Sequence, residues 1–473
     1  MAAMAHAEVT LPNVIGESMV LQQGMPAPIW GWAEAGEEVI VSFAGQTKTT
    51  KAGDDGRWQV KLDPLKANAK GQTLTIKGSN TIELKDVLIG EVWICSGQSN
   101  MEWSVRQSAN PQEEIDAANH PNIRLFNVPG HTVAPAPQEK GAGSWQVCQP
   151  KSVTNFSAVG YYFGRRLQKD LDTPIGLVGS NWGGTRIEPW CSLEGLQSVP
   201  ELEDIAAGVK ERAEKSKTEN VKVGGGTPSA IFNSMVSPLA PFAMRGAIWY
   251  QGESNGNEGE SYYHKKKALV QGWRNLFNED LGFYWVQLAD FRQPNDNPAG
   301  GDGWAKIREA QRKALEIDHT GMAVIIDIGQ ANDIHPKNKQ DVGDRLARWA
   351  LHQTYEKTSI VPAGPLYKSH KVEGETIRVS FDHVGSGLMV GKKEGLKPTE
   401  EVKDGTLKRF AIAGEDKNWV WADAKIDGNE VVLSSPEVKA PVAVRYAFTM
   451  NPAGANLYNK EGIPASPFRT DDW

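Results

Sequence analysis

The sequence is short of cysteine, of clustered positive charge and of long apolar runs. Its three cysteines, Cys95, Cys148 and Cys191, cannot all pair within one chain, and their spacing fits no metal motif. A disulfide scaffold and a cysteine metal site are therefore excluded, while a single Cys148–Cys191 bridge stays open. Cys95 lies in an apolar stretch and reads as a small buried hydrophobe rather than a reactive thiol. No apolar stretch reaches about 18 residues, so no transmembrane helix is expected. A net charge of −7 over 473 residues, without a Lys/Arg cluster, argues against nucleic-acid binding. There is no fixed-period repeat and no long low-complexity tract. What remains is the composition of a soluble globular protein, 40% hydrophobic and 23% charged. The length suggests roughly two to four domains.

At the N-terminus, Ala5-His6-Ala7 matches the small-x-small pattern of a signal-peptidase site. The segment lacks the basic and apolar parts of a working signal. The expectation is a remnant joined near a mature start at Glu8, in a periplasmic or extracellular protein.

Residues 8–88 read as an all-β domain, a small sandwich. Ala27–Trp32, Glu38–Phe43 and Arg57–Leu62 are short strand-like runs separated by Gly- and Asp-rich turns. Residues 89–360 change to strand–helix alternation. Val159, Phe163, Leu167 and Leu171 recur at helical spacing before Pro174, and Ile175–Val178 follows as a strand. Ala247–Tyr250, Phe283–Val286 and Ala323–Asp327 are further apolar runs, with helices expected over Tyr262–Phe277 and Trp304–Ile317 and around Val342–Ala350. Repeated βαβ units imply a mostly parallel sheet covered on both faces. Residues 361–473 return to short strands such as Thr376–Phe381 and Glu430–Leu433, and read as a second β domain.

The most informative run is Gly90 to Met101. Val92–Cys95 is apolar and partly β-branched, as a covered core strand should be. Gly97 permits a sharp turn, which puts Ser99 at the carboxyl end of the strand, where open α/β sheets hold reactive groups. Three more polar segments follow expected core strands: Asn181–Arg186, Gln251–Asn255 and Asn332–His335. Together they supply what acyl transfer needs. Ser99 is a nucleophile that requires a base, and His335, with an ordinary pKa near ~6.5, suits that role. Asp333 is placed to orient the imidazole. The oxyanion needs preorganised donors, available from the N–H groups of Ser99 and of Gly183 or Gly184 and from the amide of Gln251 or Asn255. Each part alone has a plainer reading. A Gly-x-Ser turn is usually a loop, and His335 before Pro336 could cap the next helix. Glu253 reads more as a supporting carboxylate than as a catalytic acid, and Arg186 with Glu188 could form an ion pair or meet substrate.

The runs Gly97-Gln98-Ser99-Asn100-Met101, Trp182-Gly183-Gly184-Thr185, Trp249 to Asn255 and Asp333-Ile334-His335-Pro336 resemble the motif set of the bacterial sialate O-acetylesterase family, within the SGNH hydrolase superfamily. The resemblance implies a flavodoxin-like three-layer α/β/α SGNH domain with flanking all-β, sandwich- or jelly-roll-like domains. It implies hydrolysis of acetyl esters on sugars without metal or other cofactor, with an acetylated carbohydrate as the partner. It makes Ser99 the nucleophile, His335 the base and Asp333 its orienting acid, with Gly184 and Gln251 the leading oxyanion donors beside the Ser99 amide. Candidate substrate contacts are Gln98, Trp182, Arg186 and Glu253.

The chain departs from the superfamily pattern in three places. Gln98 stands where Gly-Asp-Ser has Asp. Gln251-Gly252-Glu253-Ser254-Asn255 replaces Gly-x-Asn-Asp, so Gln251 and Asn255 compete for the amide role. Asp333 lies two residues before His335 rather than three, where Asn332 stands.

Sixteen tryptophans suit sugar stacking. Trp93 and Trp249, in core strands, read as packing; Trp103 and Trp182, beside the motif loops, are the better candidates to line a site. Two rival readings remain, an acetylesterase for xylan or xyloglucan and a carbohydrate-binding protein with an inactive hydrolase core. The second has no use for an intact Ser99 and His335.

Overall fold

The computed structural model describes residues 8–277 and 280–473, so the leader reading at Ala5–Ala7 lies outside the described residues. The first seven strands are β1 (Val20–Gln22), β2 (Ala27–Trp32), β3 (Glu38–Phe43), β4 (Gln46–Lys51), β5 (Arg57–Leu62), β6 (Asn68–Lys77) and β7 (Thr81–Gly97). The expected alternation holds in β5, where Trp58, Val60 and Leu62 are buried and the residues between them are exposed. It is lost toward the end of β7, where every residue from Val87 to Gly97 is buried. That is the signature of a strand covered on both faces. The remaining strands of the α/β part are β8 (His120–Asn127), β9 (Trp145–Cys148), β10 (Ile175–Asn181), β11 (Gly246–Tyr250), β12 (Gly282–Val286) and β13 (Thr320–Ala323).

The chain divides into two compact units. The first comprises the described residues of Met1–Ile248 and Ala268–Phe283; the second comprises Trp249–Lys267 and Tyr284–Trp473. In the first unit β2 pairs with β5, and β3 with β4 and β6, while β6 and β1 pair with the early part of β7. The later part of β7 enters a sheet of order β12-β11-β7-β10-β8-β9, to which β11 and β12 lend their first residues. This sheet is mixed. β10 runs parallel to both β7 and β8, but β9 is antiparallel to β8, a departure from the parallel expectation. The helix Ala158–Leu171 buries Val159, Phe163 and Leu167. Glycine allows close approach: a Cβ on Gly160 would fall 3.0 Å from Cys95 Sγ, and one on Gly164 2.6 Å from Leu177. Phe163 meets the Trp93 ring edge-on at 5.0 Å.

All three cysteines are free and buried, so no Cys148–Cys191 bridge forms. Burial raises the Cys95 thiol far above its ordinary pKa and pushes Cys148 up to about 12, which keeps both neutral and unreactive.

In the second unit the sheet order is β13-β12-β11, built from the last residues of β11 and β12. The apolar run Ala323–Asp327 is not a strand. The ladder stops at Ala323, and the buried Val324 carbonyl accepts Arg345 Nη1 at 2.8 Å instead of a strand partner. The same guanidinium grips Asp327 at 2.6 and 2.8 Å. A buried apolar run looks the same in sequence whether its backbone is satisfied by a ladder or by a side chain. The helix Lys339–Trp349 is capped by Asn338, whose side chain accepts the Asp341 N–H, which removes the capping role considered for His335. Beyond it, separate antiparallel sheets form. One joins Leu366–Glu373, Thr376–Asp382, Glu430–Ser434 and Asp423–Asp427; another joins Trp419–Trp421, Phe410–Ala413, Ala443–Tyr446 and Phe468–Arg469. Among the described residues no helix is long and apolar enough to cross a membrane.

Candidate active site

In the first unit, strand register puts two of the four motif loops side by side. β7 and β10 are parallel with Gly97 opposite Asn181, so both chains leave the sheet at the same edge. The Trp182 N–H donates to the Gly97 carbonyl at 3.0 Å and ties the two exits together. Gly97 has φ 143°, a conformation that favours glycine. Gln98 then caps a short helix, Ser99–Glu102. Ser99 is half-buried, while Gln98 and Asn100 are buried.

The Trp182–Thr185 turn is closed by hydrogen bonds. Thr185 Oγ1 donates to the Trp182 carbonyl at 2.7 Å and accepts Trp190 Nε1 at 3.0 Å. A Cβ on Gly183 would lie 3.3 Å from Ser99 Cβ, so this turn lies against the serine. The two glycines then differ. The Gly183 N–H donates to Glu102 Oε2 at 2.7 Å and is committed there. Gly184 is exposed, with φ 73° and nothing within 4 Å of its Cβ position. The other Glu102 oxygen lies 2.8 Å from His131 Nε2, and the His131 ring stacks on Trp182 at 4.7 Å and 7°. Arg186 pairs with the buried Glu188 at 3.1 Å, the ion-pair reading of those two residues. Trp103 donates its indole N–H to the Gln107 carbonyl at 2.9 Å. Trp93 and Trp249 are fully buried, as packing residues should be.

In the second unit, Gln251 and Asn255 are both buried and belong to one relay. Tyr262 OH donates to Gln251 Oε1 at 3.0 Å, Gln251 Nε2 donates to Asn255 Oδ1 at 2.8 Å, and Asn255 Nδ2 donates to Glu258 Oε1 at 3.0 Å. Lys265 closes the relay on Glu258 at 2.7 Å. The two amides are therefore linked partners rather than independent competitors. Glu253 is half-buried. Gly252 is packed so tightly that a Cβ would meet Gln311 Nε2 at 3.0 Å and Leu288 at 3.1 Å.

Asp333 Oδ1 accepts the His335 backbone N–H at 2.9 Å and lies 3.5 Å from His335 Nδ1. Asp333 thus reaches the ring nitrogen, though at more than ideal hydrogen-bond length. Asn332 is exposed. Burial, then the Lys339 charge, lower the His335 pKa against the opposing pull of Asp333. The imidazole is accordingly in its neutral, proton-accepting form at neutral pH. Lys339 is itself fully buried, with Nζ 5.3 Å from the centre of the Tyr250 ring. Burial brings it down to about 7, opposed by Glu253 and Asp333. Asp290 is pushed up to about 6 by burial, and accepts the Gly329 N–H at 2.8 Å.

Sequence reasoning missed Glu102, His131, Lys339 and Asp290. Two of them had a usable signal: Glu102 is three residues after Ser99, and Lys339 four after His335.

A model of the family described as "Carbohydrate esterase, sialic acid-specific acetylesterase" matches residues 89–352. A sialate O-acetylesterase of Pongo abelii is 31% identical, with 96% of this chain and 91% of that protein covered. The sialate O-acetylesterase of Mus musculus is 30% identical over 96% and 93%. The crystal structure of a carbohydrate acetylesterase from Xanthomonas citri has a TM-score of 0.85 and 37% identity, covering 98% of this chain and all of that one.

Proposed function

Because the chain belongs to the sialic acid-specific carbohydrate acetylesterase family, we propose that it releases acetate from acetylated sugars with Ser99 as nucleophile and His335 as base. It is a serine-type carbohydrate O-acetylesterase, and its substrate is an acetylated carbohydrate. The reading of the site rests above all on one observation. Ser99 opens a helix at a core-strand end and lies against the Gly183-Gly184 turn, where a Cβ on Gly183 would fall 3.3 Å from Ser99 Cβ.

The reaction has two steps. His335 takes the proton of Ser99 Oγ as that oxygen attacks the acetyl carbonyl carbon. The N–H groups of Ser99 and Gly184 and the amide of Gln251, held in place by Asn255, donate to the oxyanion. The C–O bond to the sugar breaks, and the sugar oxygen leaves with the proton from His335. Water, deprotonated by His335, then attacks the acetyl-enzyme, and acetate leaves as Ser99 regains its proton. Asp333 orients the imidazole and stabilises its charged form. Trp182, which stacks on His131, is a proposed substrate contact together with Arg186 and Glu253, whereas Gln98 is buried.

The three-layer part, residues 89–360, is read as a flavodoxin-like SGNH domain between β domains at 8–88 and 361–473, in a periplasmic or extracellular enzyme. The sugar is proposed to be sialic acid, following the description of the family and of its mammalian members. Acetate release from 9-O-acetylated sialic acid, acetylated xylan and acetylated xyloglucan, with Ser99→Ala beside the parent, tests both levels. Ser99-dependent release from the sialoside supports the whole reading. Release only from polysaccharide moves the substrate and keeps the site; sugar binding without Ser99-dependent release overturns the enzyme mechanism.

A further inference from the structure

We propose that Glu102 is a positioning residue that sets the oxyanion donor of Gly184 by clamping the preceding peptide to the helix that carries Ser99. The inference rests on the Ser99 mechanism and goes beyond it in assigning a residue outside the motif roles. Glu102 ends the four-residue helix that Ser99 begins, so one rigid turn carries both groups. Its Oε2 accepts the Gly183 N–H at 2.7 Å, and its Oε1 is held by His131 Nε2 at 2.8 Å. Upstream, the Trp182 N–H is fixed on the Gly97 carbonyl at 3.0 Å; downstream, the Thr185 hydroxyl returns to the Trp182 carbonyl at 2.7 Å.

The peptide planes on either side of Trp182 are therefore fixed. Between them and the Gly184 N–H remain only the two soft dihedrals of Gly183. Glycine is the residue least able to hold such dihedrals by itself. The carboxylate supplies the restraint that a side chain at 183 cannot, because a Cβ there would meet Glu102 at 3.0 Å and Ser99 at 3.3 Å.

The arrangement also explains why His131 is present. A carboxylate this close to a developing oxyanion opposes it, and an N–H donor on Oε1 draws that charge outward. The His131 ring is in turn steadied by stacking on Trp182, in the same turn. Glu102, His131, Trp182 and Gly183 thus form a closed ring of contacts that ends on the residue before the donor.

Glu102→Ala and Glu102→Gln separate positioning from a merely structural role. The amide of Gln keeps a carbonyl acceptor for the Gly183 N–H, whereas Ala removes it. Glu102→Ala is expected to lower kcat on p-nitrophenyl acetate roughly ten- to a hundredfold, with KM within about threefold. Glu102→Gln should restore most of that rate. Binding of a small alkylboronic acid, which places an oxygen in the oxyanion hole once bonded to Ser99, should weaken in parallel with kcat. Wild-type kcat in Glu102→Ala overturns the proposal. So does an equal loss in both variants, or a fall in kcat without weaker boronate binding. If Ser99→Ala keeps the activity and the parent does not bind boronate, the Ser99 mechanism fails, and with it the premise for Glu102.

Discussion

In the first unit Ser99 is placed by backbone: parallel register between β7 and β10, the positive-φ glycines Gly97 and Gly184, and the Gly183 N–H committed to Glu102. In the second unit His335 answers to side-chain charge and burial: burial and Lys339 lower its pKa while Asp333 opposes them. Lys339 is fully buried, Asp290 is pushed up to about 6, and the amides of Gln251 and Asn255 are chained to Tyr262, Glu258 and Lys265. On the proposed mechanism the nucleophile side asks for shape, because an oxyanion must meet donors at fixed positions. The base side asks for a tuned proton affinity, and only charge and burial provide that. Substitutions on the first side should act through geometry and be insensitive to pH. Those on the second should move the pH profile.

The largest test is His335→Ala, expected to lower kcat by about 10² to 10⁴ at neutral pH; a loss below tenfold removes His335 as base. Gly184→Ala comes next. Its Cβ has room, so the cost arises from the positive φ alone, about 1–2 kcal/mol of local strain. If the turn relaxes, the donor moves, and kcat should fall by up to about 10²-fold, equally at pH 6 and pH 8. A pH-dependent loss would break the division between the two sides. For Asp333→Asn, kcat should fall at least about tenfold, since the 3.5 Å contact to Nδ1 is lost as an ionic one. A change under threefold would assign the orientation of the ring to another group.

The pH profile is the finer probe. A base works only when neutral, so activity falls as pH drops through the His335 pKa. Burial and Lys339 hold that pKa below the ordinary histidine value, which puts the acid limb below about pH 6.5. Lys339→Met removes one lowering influence and should move the limb upward; an unmoved limb would show that the charge of Lys339 does not act on the ring. The smallest expected effect on chemistry is at Gly160→Val. Its side chain would press on Cys95, costing about 1–3 kcal/mol in urea unfolding while kcat stays within a factor of two.

Much of the first side was legible in advance. Apolar runs bounded by glycine marked β7 and β10, and parallel pairing brings together residues that end neighbouring strands. The commitment of the Gly183 N–H was not legible, because it turns on where the Glu102 carboxylate lies. The second side was read only at its motif residues. Lys339 looks like a surface lysine opening a helix, and Asp290 like a loop acid. Their burial depends on segments distant in sequence, such as the Gly329 N–H that Asp290 accepts. The apolar run after Ala323 misled for the same reason: its backbone partner is Arg345, 21 residues away from Val324.

By itself the sequence determined the candidate residues for the chemistry, their order, and the strand ends at Gly97 and Asn181, since glycine tolerance and apolar periodicity are local properties of the chain. Only the tertiary structure decided that the Gly183 N–H is committed to Glu102, how the two buried amides are chained, and which charges act on His335. Hydrogen-bond commitment and desolvation belong to the groups that meet in space, and no local pattern records them.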